Sequence, residues 1–187
     1  MPLDLDSMRE CRWYPSESVF FCKTREPWGE LSNMAADFPL LALERETGKL
    51  WYHTEGLYQA CRYPHLPHVQ EAIRSQKNPM QAKMLSKQHT ASTRPDWEQV
   101  KVEVMAWCLA HKFFDHYDRL GVVLRATSQY IVEKSHKDTF WGAVDSGNGY
   151  LRGRNVLGHL WMNLRTNHRL LACPLDPVGL NCLTSEP

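Results

Sequence analysis

Asp96–Phe114, DWEQVKVEVMAWCLAHKFF, is the stretch on which the fold class turns. Trp97, Val100, Val104, Trp107, Cys108, His111 and Phe114 recur at the i, i+3, i+4 spacing that places side chains on one helical face. Pro95 breaks the chain in front of the run, so a helix is expected from Asp96 onward. Such a face must be buried against other elements, and the segments before it supply helices. Asn78-Pro79 is a capping residue followed by proline at the first helical position, opening a helix over Met80–Lys87. Pro67 opens another, with Val69, Ala72 and Ile73 on one side. Thr54 is expected to cap a helix from Glu55 through Tyr58, Ala60 and Cys61, ended by Pro64. Further toward the N-terminus the pattern changes to strands: Ser18–Lys23 (SVFFCK), then Phe38–Leu43 and Leu50–His53 about a turn at Glu46-Thr47-Gly48-Lys49. Past the long helix come a short helix over Leu120–Ala126, a strand over Tyr130–Glu133, a glycine-rich loop over Asp138–Gly153 and an amphipathic helix over Val156–Arg165. The expectation is an α+β chain, a mainly helical single domain with a small sheet near the N-terminus. Residues 1–17 read as an extension, 18–170 as the domain, and 171–187 as a mobile tail.

The 187 residues are 43% apolar and 23% charged with a net charge of +1, a composition that excludes a largely disordered chain. No apolar run approaches the roughly 18 residues of a membrane span, and the acidic start, Met1–Glu10, lacks the apolar core of a secretory leader. An intracellular, cytoplasmic protein with no membrane contact is therefore expected. The six cysteines form no C-x-x-C pair and the nine histidines are scattered, so neither a disulfide framework nor a metal site is implied. G-x-G-x-x-G, Walker A, G-x-S-x-G and H-E-x-x-H motifs are all missing, and no cofactor is expected. Chemistry then has to come from carboxylates, lysines and aromatic walls.

Charge is unevenly spread. Ala72–Pro95 and Ser146–Leu175 contain no acids, yet the first holds Arg74, Lys77, Lys83, Lys87 and Arg94 and the second Arg152, Arg154, Arg165 and Arg169. Solvated helix faces and phosphate-binding surfaces both fit that pattern. Three segments carry more polar and aromatic material than packing needs. They are Gly29–Asn33, where Asn33 could read a base edge or sugar hydroxyl; Thr54–Ala60, with Glu55 in a first helical turn; and Glu133–Gly142, where Asp138 stands beside Trp141 and Gly142. Glu55 alone could be a dipole-stabilising acid, and Asp138 a loop cap.

Taken in order, the motifs are more specific. Glu30-Leu31-Ser32-Asn33, Thr54-Glu55-x-x-Tyr58-Gln59-Ala60, Pro79-x-x-Ala82-Lys83 and Asp96-Trp97-x-x-Val100-Lys101 are followed by Met105, Lys112-Phe113, Val132-Glu133 and Asp138-x-x-Trp141-Gly142. Gly153-x-Asn155-x-Leu157-Gly158-x-Leu160-Trp161-Met162-x-Leu164-Arg165 closes the series. This order, running from Val19 to His168, resembles the NADAR family, also called YbiA-like. Gly56 stands where members often have histidine, Arg62 where they often have lysine, and Ala143 falls in a loop that often has two glycines.

The resemblance implies an N-glycosidase domain over 18–170 that handles a ribose joined to an amine. One family activity removes ADP-ribose from guanine bases modified by DNA-ADP-ribosylating toxins, which would make a toxin and ADP-ribosylated DNA the partners. The other cleaves ribosylamino-pyrimidine intermediates of riboflavin synthesis. Tyr58–Pro64, Ser75–Met84 and Trp107–Leu109 resemble the toxin-associated branch more closely. A third reading is a non-catalytic ADP-ribose-binding module. Cleaving a ribosyl C–N bond builds positive charge at the anomeric carbon, which a carboxylate stabilises. Glu55 is the expected stabiliser or general base. Asp138 would orient ribose hydroxyls, or serve as partnering acid if burial raises its pKa. Lys83, with Lys112 second, is the candidate for an alternative imine path, which needs a desolvated lysine. Asn33, Trp97, Trp141 and Gly142 would line the substrate site. Arg94, Arg152 or Arg154, and the helix start at Asn155, would meet phosphate.

Overall fold

A computed structural model describes residues 8–41, 44 and 48–167. The expected tail over 171–187, the first seven residues of the extension, and parts of the expected Phe38–Leu43 strand and its following turn lie outside the described residues. The chain falls into two compact units, one holding residues 33–116 and the other 8–32 with 117–167.

The first unit is helical: α1 (Thr54–Ala60), α2 (Pro67–Arg74), α3 (Pro79–Gln88) and α4 (Trp97–Asp115). Every residue of α1 is buried, because α2, α3 and α4 all pack against it. Pro79 and the Asn78 side chain start α3 as the sequence predicts, with Asn78 Oδ1 accepting from the Met80 and Gln81 amides. Helix α4 buries more than the one stripe. Val102, Met105, Leu109 and Phe113 form a second buried row beside Val104, Trp107, Cys108 and His111, while Val100 and Phe114 are only half-buried. A helix covered on two sides needs apolar residues beyond a single face, and Val102 to Phe113 supply them.

Two local expectations give way here. Thr54 is the first helical residue of α1, and the cap is His53, whose Nδ1 accepts the Gly56 amide at 2.8 Å. Leu40 and Trp51 form an isolated antiparallel bridge, so among the described residues the segments around them contribute no strand to the sheet.

The second unit holds the sheet, with β1 (Cys11–Trp13), β2 (Ser18–Phe21), β3 (Tyr130–Ser135), β4 (Ala143–Asp145) and β5 (Leu151–Gly153) in the order β1-β5-β4-β3-β2. β2 and β3 run parallel with Val19 opposite Ile131, and β4 joins β3 in parallel through Lys134–Ala143. β5 is antiparallel to both β4 and β1. Helices α5 (Tyr117–Arg125) and α6 (Val156–Asn167) complete the unit, α6 lying on β3. Trp13, Val132, Ala143 and Leu151 form a core against which Phe20 packs. The segment expected as loop from Asp138 to Gly153 thus contains a β4–β5 hairpin, closed by the Ser146 amide on Tyr150 O. Strands of three residues leave too little alternation to rise above the Ser-Gly-Asn-Gly turn signal. The α+β class and the predominance of helix are as the sequence predicts.

Candidate active site

Glu55 is the most unusual side chain in the helical unit, a carboxylate only 1% exposed in the first turn of α1. Burying a carboxylate costs free energy unless donors surround it, and three do. Asn33 Nδ2 donates to Oε2 at 2.5 Å, Gln59 Nε2 donates to Oε1 at 2.9 Å, and Lys83 Nζ stands 3.9 Å from Oε1. The Glu55 amide also donates to Asn33 O, which fixes the loop against the helix start. Burial pushes the Glu55 carboxyl above the usual glutamate range; the Lys83 ammonium, the Gln59 hydrogen bond and the Arg62 guanidinium pull the other way.

Gln59 is itself held. Ser86 Oγ donates to Gln59 Oε1 at 2.7 Å, and Tyr63 donates its hydroxyl to Ser86 O at 2.6 Å. With Oε1 taken by Ser86, the amide nitrogen of Gln59 is the end left to face Glu55, so the chain Tyr63–Ser86–Gln59–Glu55 sets the direction of a buried donor. His53 Nδ1 accepts the Gly56 amide and Nε2 lies 3.0 Å from Gln76 O, which requires the proton on Nε2. Burial lowers the His53 pKa and keeps this ring neutral. Its position also explains Gly56: a Cβ there would meet His53 Cε1 at 2.8 Å. The space near the helix start that a side chain at position 56 would use is filled by a ring from position 53.

Lys83 comes from one side of α3 and is 44% exposed. Water and a neighbouring carboxylate are the opposite of the desolvation an imine-forming lysine needs. Lys112 is fully buried in α4, its Nζ 4.4 Å from the centre of the Phe38 ring. Trp97, 3% exposed, packs its ring 5.1 Å from Tyr58 and under the Arg62 guanidinium at 4.6 Å. It is a wall already covered by protein. Arg94 is gripped by Asp96 through Nε–Oδ1 at 2.6 Å and a second bond at 2.7 Å, so its fork is occupied.

The remaining expected residues form a cluster of their own in the sheet unit. Asp138 is exposed, and its Oδ1 accepts the Phe140 and Trp141 amides at 2.9 Å each. Its position is a turn at the surface, where it serves as a cap for the following amides rather than lying buried. Trp141 is half-buried edge-on to Phe140. Gly142 is needed for close approach: a Cβ would lie 2.6 Å from Glu133 O. Asn155, with φ 52° in the left-handed region that asparagine tolerates, spends its amide on β3, accepting from Glu133 N and donating to Ile131 O. The amides of residues 154 to 157 all donate to carbonyls of Thr139 to Gly142. The four amides that open α6 are therefore already spent on the 139–142 loop, and the helix start acts as a strut for β3 and that loop. Arg154 donates to Met8 O and lies over Phe140, and Arg152 pairs with Glu10. A hollow of about 170 Å³ bordered by Pro15, Phe20, Lys134 and Tyr150 contains none of the expected residues. Among the described residues, no three His, Cys, Asp or Glu side chains gather in a group that could hold a metal ion.

The helical unit therefore presents one buried, donor-locked carboxylate beside a cation, in a mixed α/β chain whose strands and helices follow the order of motifs in the sequence. The chain belongs to the NADAR domain family, whose model matches residues 20–169. It is 34% identical over 147 residues to a protein of Shigella boydii named N-glycosidase YbiA, covering 79% of this chain and 86% of that one. It is also 34% identical over 149 residues to riboflavin biosynthesis protein VVA0006 of Vibrio vulnificus, covering 80% of this chain and 38% of that longer one. The NMR structure of Escherichia coli YbiA superposes with a TM-score of 0.68 at 29% identity, covering 82% of this chain and 86% of the other.

Gln59, Ser86, Tyr63 and His53 are not among the site residues expected from the sequence. Gln59 carries a signal, since it stands one turn after Glu55 at the i, i+4 spacing. Ser86 carries none: only the packing of α1 on α3 reveals it.

Proposed function

We propose that this chain is an N-glycosidase that removes ADP-ribose from ADP-ribosylated guanine in DNA, with Glu55 as the essential carboxylate. The observation that carries the reading is the environment of Glu55: buried, held by Asn33 and Gln59, and 3.9 Å from the Lys83 ammonium. A purely structural acid at a helix start would sit in water, where dipole stabilisation comes without a desolvation cost. In hydrolysis the C–N bond breaks with its electron pair moving to nitrogen, and positive charge develops over the anomeric carbon and ring oxygen. The fixed carboxylate stabilises that charge and takes a proton from the water that adds to the carbon. The departing nitrogen gains a proton, which Lys83 is suited to give. DNA as the carrier is supported by α3, whose surface holds Met80, Met84 and Lys87 around the Lys83 side, with Lys77 just ahead of the helix and no acid from Ala72 to Pro95. A DNA-ADP-ribosylating toxin as partner belongs to the same reading.

The name of the Vibrio vulnificus relative favours a second reading, cleavage of a ribosylamino-pyrimidine of riboflavin synthesis. One experiment separates the two. The wild-type chain and Glu55→Gln are incubated with an oligonucleotide carrying ADP-ribosyl-guanine and, separately, with a ribosylamino-pyrimidine. Release of ADP-ribose that falls at least about 100-fold in the variant is the expected result. Turnover of the pyrimidine alone assigns the second reading, and binding of ADP-ribose without turnover of either substrate assigns a binding module.

A further inference from the structure

The sheet unit carries a charged surface at the β1–β5 edge that the reading of Glu55 leaves unused. Trp13 and Leu151 stand opposite one another and are buried in the core. Side chains alternate along a strand, so the next pair in the register, Arg12 and Arg152, faces the other way, and both are exposed. Like charges directly opposite each other on neighbouring strands disfavour the sheet. Nor does β1 need them, since Trp13 anchors the strand with its buried ring and with Nε1, which donates to Gly153 O at 3.0 Å.

The surroundings cancel only part of this charge. Arg152 pairs with Glu10, whereas among the described residues no carboxylate pairs with Arg12, whose guanidinium lies 5.2 Å from the centre of the Tyr150 ring. Tyr14 brings its ring within 5.6 Å of Tyr150 and is 41% exposed. A hollow of about 420 Å³ lies among Glu10, Cys11, Arg12, Tyr150 and Arg152. Guanidiniums beside tyrosine rings around an open space suit a partner that alternates negative charge with flat rings. An acidic peptide would use the cations and leave the rings idle. A single nucleic-acid strand uses both, its phosphates meeting the guanidiniums and its bases stacking on the rings. Arg12 and Tyr14 stand ahead of residue 20, where the match to the family model begins, so β1 adds this surface from outside the matched region.

We infer that Arg12, Arg152, Tyr14 and Tyr150 form a docking surface for a single DNA strand. The inference rests on the reading of DNA as the carrier of the substrate and adds the form of that DNA. Chemistry on a base requires the base to leave the duplex stack, and unpaired bases are the ones free to stack on tyrosine. The surface holds the strand and takes no part in breaking the C–N bond.

The test is fluorescence anisotropy with a labelled, unmodified single-stranded oligonucleotide and with its duplex, over a range of salt concentrations. The full chain is compared with Arg12→Ala, Arg12→Lys, Tyr14→Ala and Glu10→Gln, each checked for a native near-UV spectrum. The single strand is expected to bind more tightly than the duplex. Arg12→Ala is expected to weaken that binding and to lower the slope of log affinity against log salt by about 0.7, while Arg12→Lys keeps the slope. Tyr14→Ala is expected to weaken binding about fivefold or more with the slope unchanged, because stacking releases no counterions. Glu10→Gln, which releases Arg152, is expected to tighten binding and steepen the slope. An unchanged Kd in Arg12→Ala or in Tyr14→Ala overturns the inference. So does a duplex bound as tightly as the single strand, or displacement of the strand by poly-glutamate as readily as by unlabelled DNA. If the unmodified strand binds through Arg12 and Tyr14 while ADP-ribosyl-guanine is not turned over, the surface stands and the guanine hydrolase reading falls. If the modified oligonucleotide is turned over with the KM of Arg12→Ala and Tyr14→Ala unchanged, the hydrolase stands and the surface falls.

Discussion

Glu55 carries a pH signature that distinguishes it from a surface acid. Its carboxyl is raised by burial above the ordinary glutamate value of 4.5. Below that value the folded and unfolded chains both hold the proton, and this group costs nothing. As pH rises, the unfolded chain releases the proton first, so the group disfavours folding until the folded carboxyl ionises too. Glu55→Gln is therefore expected to be about neutral in stability at pH 4 and increasingly stabilising as pH rises above the ordinary value, levelling off once the folded carboxyl ionises, a trend read from urea midpoints between pH 4 and pH 8. A flat difference would show that Glu55 is not desolvated in solution. Turnover that uses the carboxylate falls on the acid side, with its midpoint above the ordinary value. Lys83→Ala is expected to move that limb further upward, since the ammonium favours the charged form. A second residue-scale effect concerns the cap. His53→Ala is expected to cost about 1 kcal/mol, and Gly56→Ala about 1–3 kcal/mol through overpacking on the ring. Combining them is expected to cost less than their sum, because the ring that the added methyl group would strike is gone; a double-mutant cycle measures it.

Among the elements, α3 links the buried site to the surface. Its buried side supplies Ala82 and Ser86, Lys83 reaches Glu55, and its outer side leaves Met80 and Met84 55% and 57% exposed. The acid-free stretch that contains α3 is less basic than its sequence suggests, because acids just outside it reach in. Glu71 pairs with Arg74 and Asp96 with Arg94. Lys77, 5.6 Å from the Tyr52 ring centre, and Lys87 remain for phosphates. If α3 carries the DNA strand, Lys77→Ala and Lys87→Ala are each expected to lower the slope of log affinity against log salt by about 0.7–1. Slopes unchanged from wild type would remove α3 from the binding surface. Helix α6 shows the opposite relation between sequence and role. Its Gly-x-Asn start reads as a phosphate cradle, yet the 139–142 carbonyls already take its amides.

At the scale of the molecule, free thiols report how completely the chain closes. Cys61 and Cys108 are buried without disulfides while Cys11 is exposed, so alkylation mapped by mass spectrometry is expected to label Cys11 at once and Cys61 and Cys108 only in denaturant. Labelling of Cys61 in the native chain would mean that the surroundings of α1 open locally. Within the described residues no helix is long and apolar enough to cross a membrane, and ion pairs such as Arg152–Glu10 and Arg94–Asp96 consume part of the charge that a linear reading leaves uncompensated. The sequence by itself determined what depends on near neighbours along the chain: the helical period of α4, the Asn-Pro start of α3, the family motifs in their order, and Glu55 in the first turn of a helix. Tertiary structure decided which polar groups are spent and which are left over. Asn33 meets Glu55 across 22 positions and Ser86 meets Gln59 across 27, separations no local pattern encodes. Whether a carboxylate is buried, a guanidinium unpaired or a cap already satisfied depends on who stands opposite in space, and only the folded chain brings those partners together.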